Sequence, residues 1–185
     1  MREARATAYP WDHARLCRGG GRRIAAPDGF RVENDVQIWV DADACPVAVK
    51  QTLYRAARRT GIAVTLVANR PLQVPRLPQV SAVQVAPGFD VADDEIAQRL
   101  EAGDLVVTSD IALAAAVLER GGAALSPRGE VFSADDIAAK QTMRDFMDTL
   151  RGSGIHGGGA PPLGPRERQA FANALDRWLA QARKS

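Results

Sequence analysis

The sequence predicts an α/β fold, a three-layer α/β/α sandwich with a mostly parallel sheet of about five strands and additional C-terminal helices. Short apolar runs alternate with segments of helical periodicity along the middle of the chain. Glycines and prolines separate these segments. The first run, 36–40, reads as a buried strand, which is typical of a parallel sheet that helices cover on both faces.

The first 35 residues differ from the rest of the chain. They show no sustained period and contain a triple glycine at 19–21. We expect residues 1–35 to be a poorly ordered N-terminal arm or an overextended start of the reading frame. The arm lacks the continuous apolar stretch of a secretory signal.

The ordered part begins with a strand and a helix. The run 36–40 ends in Asp41, and the segment 47–60 then places apolar residues at helical spacing. Pro46 suits the start of this helix, and Gly61 lies just past its end. The sequence therefore predicts a strand–helix unit.

The same alternation continues toward the C-terminus. Further strands are predicted at 62–67, 80–85, 105–108 and 123–125, and helices at 93–102 and 111–120. Ser133 and Asp136 resemble a capping box for a helix that runs to about Leu150. After a glycine-rich loop, residues 166–182 form an amphipathic helix. We assign 36–150 to the α/β domain and 151–185 to a loop and helix packing on it.

Composition excludes several classes of protein. Hydrophobic residues make up 46% of the chain and charged residues 25%, as in ordinary globular proteins. No apolar run is long enough to span a membrane. Cys17 and Cys45 are too few for a disulfide framework, so we expect a cytoplasmic protein. The net charge of +2 belongs to the arm, because residues 36–185 hold 17 acids and 17 arginines or lysines.

Acidic residues follow three of the predicted strands. In a parallel sheet, ligands bind beyond the carboxyl ends of the strands. The acids that follow strands one, three and four are Asp41, Asp43, Asp90, Asp93, Asp94, Glu95 and Asp110. Carboxylates suit Mg²⁺ or Mn²⁺, so the sequence predicts a site for one or two ions. Alternatively, Asp93 and Asp110 only cap helices, and Asp94 and Glu95 are favourable first-turn charges.

A basic segment lies between these acids. No acidic residue occurs from Ala44 through Phe89, whereas six basic residues do: Lys50, Arg55, Arg58, Arg59, Arg70 and Arg76. A basic helix and loop beside a carboxylate centre suit a phosphate backbone. Alternatively, three of the arginines form the solvated face of the helix at 47–60.

Other nucleophile motifs are weaker. Cys45 is expected near a helix N-terminus, which could lower the pKa of its thiol, although a packed small residue is the favoured interpretation. His13 and His156 belong to no nucleophile motif, which argues against a Ser/His/Asp or Cys/His hydrolase.

Four strings carry a family resemblance. Asp-Ala-Asp-Ala-Cys-Pro-Val at 41–47, Gly-Phe-Asp-Val-Ala-Asp at 88–93, Val-Thr-Ser-Asp-Ile-Ala-Leu at 107–113 and Pro-Arg-Gly-Glu at 127–130 resemble, in this order, the YaiI/YqxD family of uncharacterised bacterial proteins. The resemblance covers about residues 36–182. The arm lies outside it, and the segment 156–162 matches the family's Gly-Gly-Pro element only loosely.

The resemblance implies a function. The family is similar to PIN-like and NYN-type nuclease domains, which are α/β/α sandwiches that cut RNA at an acidic, metal-dependent site. The matching positions are Asp41 with Asp43 beside it, Asp93, and the Thr-x-Asp element of Thr108 and Asp110. The leading hypothesis is therefore a divalent-metal-dependent nuclease that hydrolyses phosphodiester bonds of RNA with Mg²⁺ or Mn²⁺.

The hypothesis gives each residue a role. Catalytic residues would be Asp41, Asp43, Asp93 and Asp110, and metal ligands would be Asp41, Asp93 and Asp110, with Asp90 and Asp43 as second-tier ligands or water-orienting bases. Thr108 or Ser109 would contact phosphate or metal-bound water, and Arg55, Arg58, Arg59 and Arg70 would hold the nucleic-acid backbone. The expected partner is RNA and not a membrane, and self-association is left open.

Two alternatives remain. A haloacid-dehalogenase-like phosphatase would use Asp41 as nucleophile and Asp43 as acid/base, although Cys45 stands where that motif expects Thr or Val. A non-catalytic RNA-binding protein would use the arginines alone, and its acids would only cap helices.

Overall fold

A computed structural model describes residues 36–88, 90–140, 142 and 162–183 of the 185-residue chain. The predicted N-terminal arm, the end of the helix predicted to reach Leu150 and the glycine-rich loop with His156 lie outside the described residues. The predictions for these segments therefore stay predictions.

Five strands form one parallel sheet. They are β1 (Gln37–Asp41), β2 (Ala63–Ala68), β3 (Val80–Gln84), β4 (Leu105–Val107) and β5 (Ala123–Leu125). Their order across the sheet is β3-β2-β1-β4-β5, and every neighbouring pair is parallel. The predicted α/β class is confirmed.

Helices cover both faces of this sheet. They are α1 (Val47–Thr60), α2 (Val91–Arg99), α3 (Ile111–Glu119), α4, which begins at residue 134 and is described to 140, and α5 (Pro165–Ala182). Ile38 and Val40 of β1 pack in one cluster with α1 and α5, whereas Trp39 packs with α2 and α3 on the other face. Side chains alternate along a strand, so β1 supplies both layers of the core.

The second helix begins and ends earlier than the sequence predicted. The predicted span was 93–102, whereas α2 begins at Val91 and ends at Arg99. Asp90 precedes it with a φ of 59°, so Asp90 and not Asp93 occupies the N-cap position. Leu100 turns to an extended conformation and buries its side chain, which ends the helix before Gly103.

Smaller differences concern other boundaries. β1 and β2 each lie one residue later than predicted, β3, β4 and α3 each end one residue earlier, and α5 begins one residue earlier, while α1 and β5 match. The Ser133 hydroxyl accepts the Asp136 N–H at 3.1 Å, as the capping prediction required. The Asp136 carboxylate accepts from the Ser133 hydroxyl at 2.6 Å, which closes the box through side chains. Among the described helices, none is both long and apolar enough for a membrane span.

The order of the strands locates a crevice. From β1 the chain moves outward to β2 and β3, and it then crosses back to place β4 on the other side of β1. The direction of winding therefore reverses between β1 and β4. In sheets of this kind, the carboxyl ends of the strands at the reversal border the usual ligand crevice.

Candidate active site

The two central strands end in residues that contact each other. Asp41 is the last residue of β1 and is 9% exposed. Thr108 directly follows β4, and its Oγ1 donates to Asp41 Oδ2 at 3.4 Å. Burial raises the pKa of Asp41, against the opposing effect of hydrogen bonds from the Ala44 backbone and Thr108.

Thr108 connects two acids. Besides donating to Asp41, its hydroxyl accepts the Asp110 N–H at 2.9 Å. Only 1% of Thr108 is exposed, and its two described hydrogen bonds position Asp41 and the start of α3. Ser109 is exposed, and the predicted contact of either residue with phosphate or metal-bound water stays a prediction.

Asp110 begins α3. Its Oδ1 accepts the N–H groups of Ala112 at 2.6 Å and Leu113 at 3.1 Å. The expectation that this acid caps a helix is confirmed. These bonds use one carboxylate oxygen, so capping leaves Oδ2 for a further ligand.

Asp93 brings the third segment to the same place. This half-buried residue stands in the first turn of α2. Burial, followed by the charges of Asp41, Asp110 and other nearby acids, raises the pKa of Asp93 to about 6. The helix α2 contacts both β1, which ends in Asp41, and α3, which Asp110 caps, and the influence of these two charges on Asp93 agrees with that packing. Asp90 is exposed at the helix start and adds to the same effect.

Asp43 has a different environment. Its Oδ2 accepts the Asn69 N–H at 2.7 Å, and its Oδ1 accepts from Arg70 Nε at 3.4 Å. The residue thus joins the turn after β1 to the segment after β2. We call the carboxyl ends of β1 and β4, with Asp41, Asp93 and Asp110, the acidic edge. The Arg70 side chain is 75% exposed, and its pair with Asp43 holds it beside this edge.

The other predicted arginines lie elsewhere. Arg55, Arg58 and Arg59 are exposed on α1, about 12 to 18 Å along the helix axis from its first residue. Arg59 pairs with Asp176 of α5 at 2.5 Å. The solvated-face alternative describes these three residues. The structure does not bring them to the acidic edge.

The Cys45 thiol is not activated. It is buried, and burial raises its pKa to about 12, an effect that outweighs the charge of nearby Lys50. The possibility of a lowered pKa is wrong, and the packed-residue interpretation is confirmed. Desolvation of the thiolate exceeds any benefit from the helix N-terminus.

The donor set can be compared with what a cation needs. In the described part of the chain, no three His, Cys, Asp or Glu side chains stand close enough to form a metal site. Mg²⁺ usually keeps several waters and takes one or two carboxylates directly, so it does not require such a cage. The described ion pairs leave Asp41, Asp93 and Asp110 without a Lys or Arg partner. A cation at this end of the sheet would therefore take one or two carboxylates directly and complete its coordination with water.

Asp104 received no role from the sequence, and the structure shows it to be a buried structural acid. Asp104 is 1% exposed and accepts from Gln37 N, Trp39 Nε1 and Glu101 N at 2.8 to 3.1 Å. Burial raises the pKa of Asp104 to about 6 despite these bonds. The residue precedes β4 and therefore lies at the opposite edge of the sheet. Its position before a strand was the signal that could have separated it from the site acids.

Comparisons with known proteins agree on a family. Residues 39–181 match the family model described as "Uncharacterized BCR, YaiI/YqxD family". A UPF0178 protein of Thioalkalivibrio sulfidiphilus is 60% identical over 146 residues, which cover 79% of this chain and 99% of the relative. A UPF0178 protein of Yersinia pestis is 61% identical over 148 residues, covering 80% of this chain and 97% of that protein. No solved structure gives a significant match.

Proposed function

The chain belongs to the YaiI/YqxD family, and from the acidic edge of its sheet we propose that it is a cytoplasmic, divalent-metal-dependent nuclease acting on RNA. The observation that carries the proposal is that the Thr108 hydroxyl bonds both to Asp41 at the end of β1 and to Asp110 at the start of α3, beside the helix α2 that carries Asp93 in its first turn. Neighbouring carboxylates repel one another, which a bound cation would offset.

The proposed metal ligands are drawn from these three residues, one or two of which would bind the ion directly and the others through water. The Thr108 hydroxyl donates to the Asp41 carboxylate and accepts the Asp110 N–H, and these two bonds link the end of β1 to the start of α3. Asp93 contributes from the first turn of α2. Bound among them, Mg²⁺ or Mn²⁺ would lower the pKa of a coordinated water and neutralise charge on the reacting phosphate.

The protein residues then have separate tasks. Hydrolysis adds a water oxygen to phosphorus and breaks the bond from phosphorus to the leaving oxygen, giving a phosphate monoester and an alcohol. Arg70, exposed and held by Asp43, would bind a phosphate of the RNA backbone. Asp43 would position Arg70, and Ser109 would contact phosphate or metal-bound water.

A cleavage assay tests this proposal. Single-stranded RNA is incubated with Mn²⁺ or Mg²⁺ and with the wild type, Asp41→Asn, Asp110→Asn or the control Asp135→Asn, an exposed acid of α4. We expect the wild type and the control to cleave, and both site variants to lose at least about 100-fold in rate, because each loses a ligand charge. Added EDTA should abolish cleavage.

Other outcomes would favour the alternatives. Equal cleavage by all four proteins, or by none, contradicts the proposal. Turnover of a small phosphate ester with a trapped aspartyl-phosphate at Asp41 would indicate a phosphatase. RNA binding that survives in Asp41→Asn, with no Mg²⁺ or Mn²⁺ binding by the wild type, would indicate a non-catalytic RNA-binding protein.

A further inference from the structure

A lysine stands beside the acidic edge. Lys50 lies in the first turn of α1, the helix that begins at the carboxyl end of β1. Its Nζ donates to the Ala42 carbonyl at 2.9 Å, and Ala42 lies between Asp41 and Asp43 in the chain. The ammonium group is therefore attached to the turn that carries the acids.

The Lys50 ammonium group has unused hydrogen-bond donors. A lysine can donate three hydrogen bonds, and the structure gives Lys50 one, to a neutral carbonyl. The described ion pairs include none for Lys50. The residue is half-buried, so its charge is screened less by water than that of a fully exposed lysine.

The two basic residues of this edge differ in chemistry. Arg70 is mostly exposed and pairs with Asp43. This position suits a contact with a backbone phosphate away from the scissile bond. Lys50 carries a compact charge that is hydrogen-bonded to the Ala42 carbonyl of the Asp41–Asp43 turn, and the described ion pairs give it no acidic partner. Phosphodiester hydrolysis concentrates negative charge on the phosphate oxygens, which a compact, positioned cation stabilises.

We propose that Lys50 is a catalytic residue of this nuclease site, whose ammonium donates hydrogen bonds to a non-bridging oxygen of the scissile phosphate while it remains attached to the Ala42 carbonyl. This inference rests on the proposed nuclease function. It assigns the contact with the reacting phosphate to Lys50 and leaves backbone binding to Arg70.

Lys50→Met is the informative variant, because methionine keeps much of the aliphatic chain and removes the charge. The control is Arg120→Met, which removes one positive charge next to α3 at the opposite edge of the sheet. Each protein is assayed for kcat and KM on fluorescein-labelled single-stranded RNA with Mn²⁺. Binding of the same RNA is measured by anisotropy in EDTA at several salt concentrations.

We expect Lys50→Met to lower kcat about 100-fold, as loss of one charge-stabilising donor does in other enzymes. The slope of log affinity against log salt should fall by about 0.7, the value for one lost contact with a single-strand phosphate. Arg120→Met should keep the wild-type kcat and slope. Lys50→Gln replaces Lys50→Met if the methionine variant does not fold, as judged by its melting temperature.

The outcomes separate this inference from the function on which it rests. Wild-type kcat in Lys50→Met, with Asp110→Asn inactive, overturns the role of Lys50 and leaves the nuclease standing. A lower kcat with an unchanged salt slope also overturns it, because Lys50 would then act only by holding the turn. No cleavage by the wild type overturns both.

Discussion

Aspartate residues in this protein have three different roles that depend on their partners. The described ion pairs give Asp41, Asp93 and Asp110 no basic partner, whereas Asp43 accepts from Asn69 and Arg70. Asp104 is buried, and its carboxylate accepts hydrogen bonds from three N–H groups. The residue type was the same in the sequence, and only the neighbours distinguish a candidate ligand from a structural acid.

Asp104 predicts a pH dependence of stability. Burial raises its pKa in the folded protein to about 6, from an ordinary value near 3.8. Between these two values the folded state binds a proton that the unfolded state does not. The free energy of unfolding should therefore decrease as pH rises from about 4 to about 6, with Asp104 contributing up to about 3 kcal/mol.

Denaturant unfolding of the wild type and Asp104→Asn at pH 4.0 to 6.5 measures this contribution. The variant should show a weaker decrease across that window, because its amide does not titrate. Asp93 also has a raised pKa, so it lowers the free energy of unfolding as pH rises over the same range in both proteins. Comparing the two proteins therefore cancels its contribution. A decrease of equal size in both proteins would mean that Asp104 does not carry the proton.

Individual elements depend on a few close contacts. The loop after β5 packs against α5 at Gly129, which has a φ of 88°. A Cβ built on Gly129 would collide with the backbone of Ala170 and Phe171 in α5. The close approach of the loop to the helix therefore requires glycine.

Gly129→Ala should lower the free energy of unfolding by about 2 to 4 kcal/mol, because it combines an unfavourable φ with a collision against helix backbone. Gly61→Ala is the matched control, since Gly61 has a φ of 78° but open space around its Cβ position. The control should cost about 1 kcal/mol. Equal losses in thermal or urea unfolding would show that the loop does not pack tightly on α5.

At the scale of the whole molecule, the sequence predicted the sheet and helices well. The apolar run that ends in Asp41 and the helical spacing at 47–60 are local patterns, and local patterns report strands and helices directly. The end of α2 was predicted too late because Leu100 leaves the helix to fill the core, which depends on tertiary packing.

The site was predicted in part. The strand ends indicated which acids share an edge, because parallel strands all point their carboxyl ends the same way. The arginines of α1 were grouped with this edge on charge alone, although helix length carries Arg58 and Arg59 away from it. Lys50 and Asp104 were visible in the sequence, but Lys50 bonds to a carbonyl 8 residues away, and two partners of Asp104, Gln37 and Trp39, lie 67 and 65 residues away. Spacing in the sequence could not indicate these contacts.

The central claim, that a divalent cation binds at the acidic edge, is tested most directly by locating Mn²⁺ in crystals of the protein. Anomalous diffraction from crystals grown with saturating Mn²⁺ would locate the ion without relying on activity. We predict a peak at the edge of the sheet within about 2.5 Å of a carboxylate oxygen of Asp41, Asp93 or Asp110, completed by waters. Crystals that show Mn²⁺ only elsewhere, or none, with these three carboxylates free of lattice contacts, would contradict a metal-dependent nuclease.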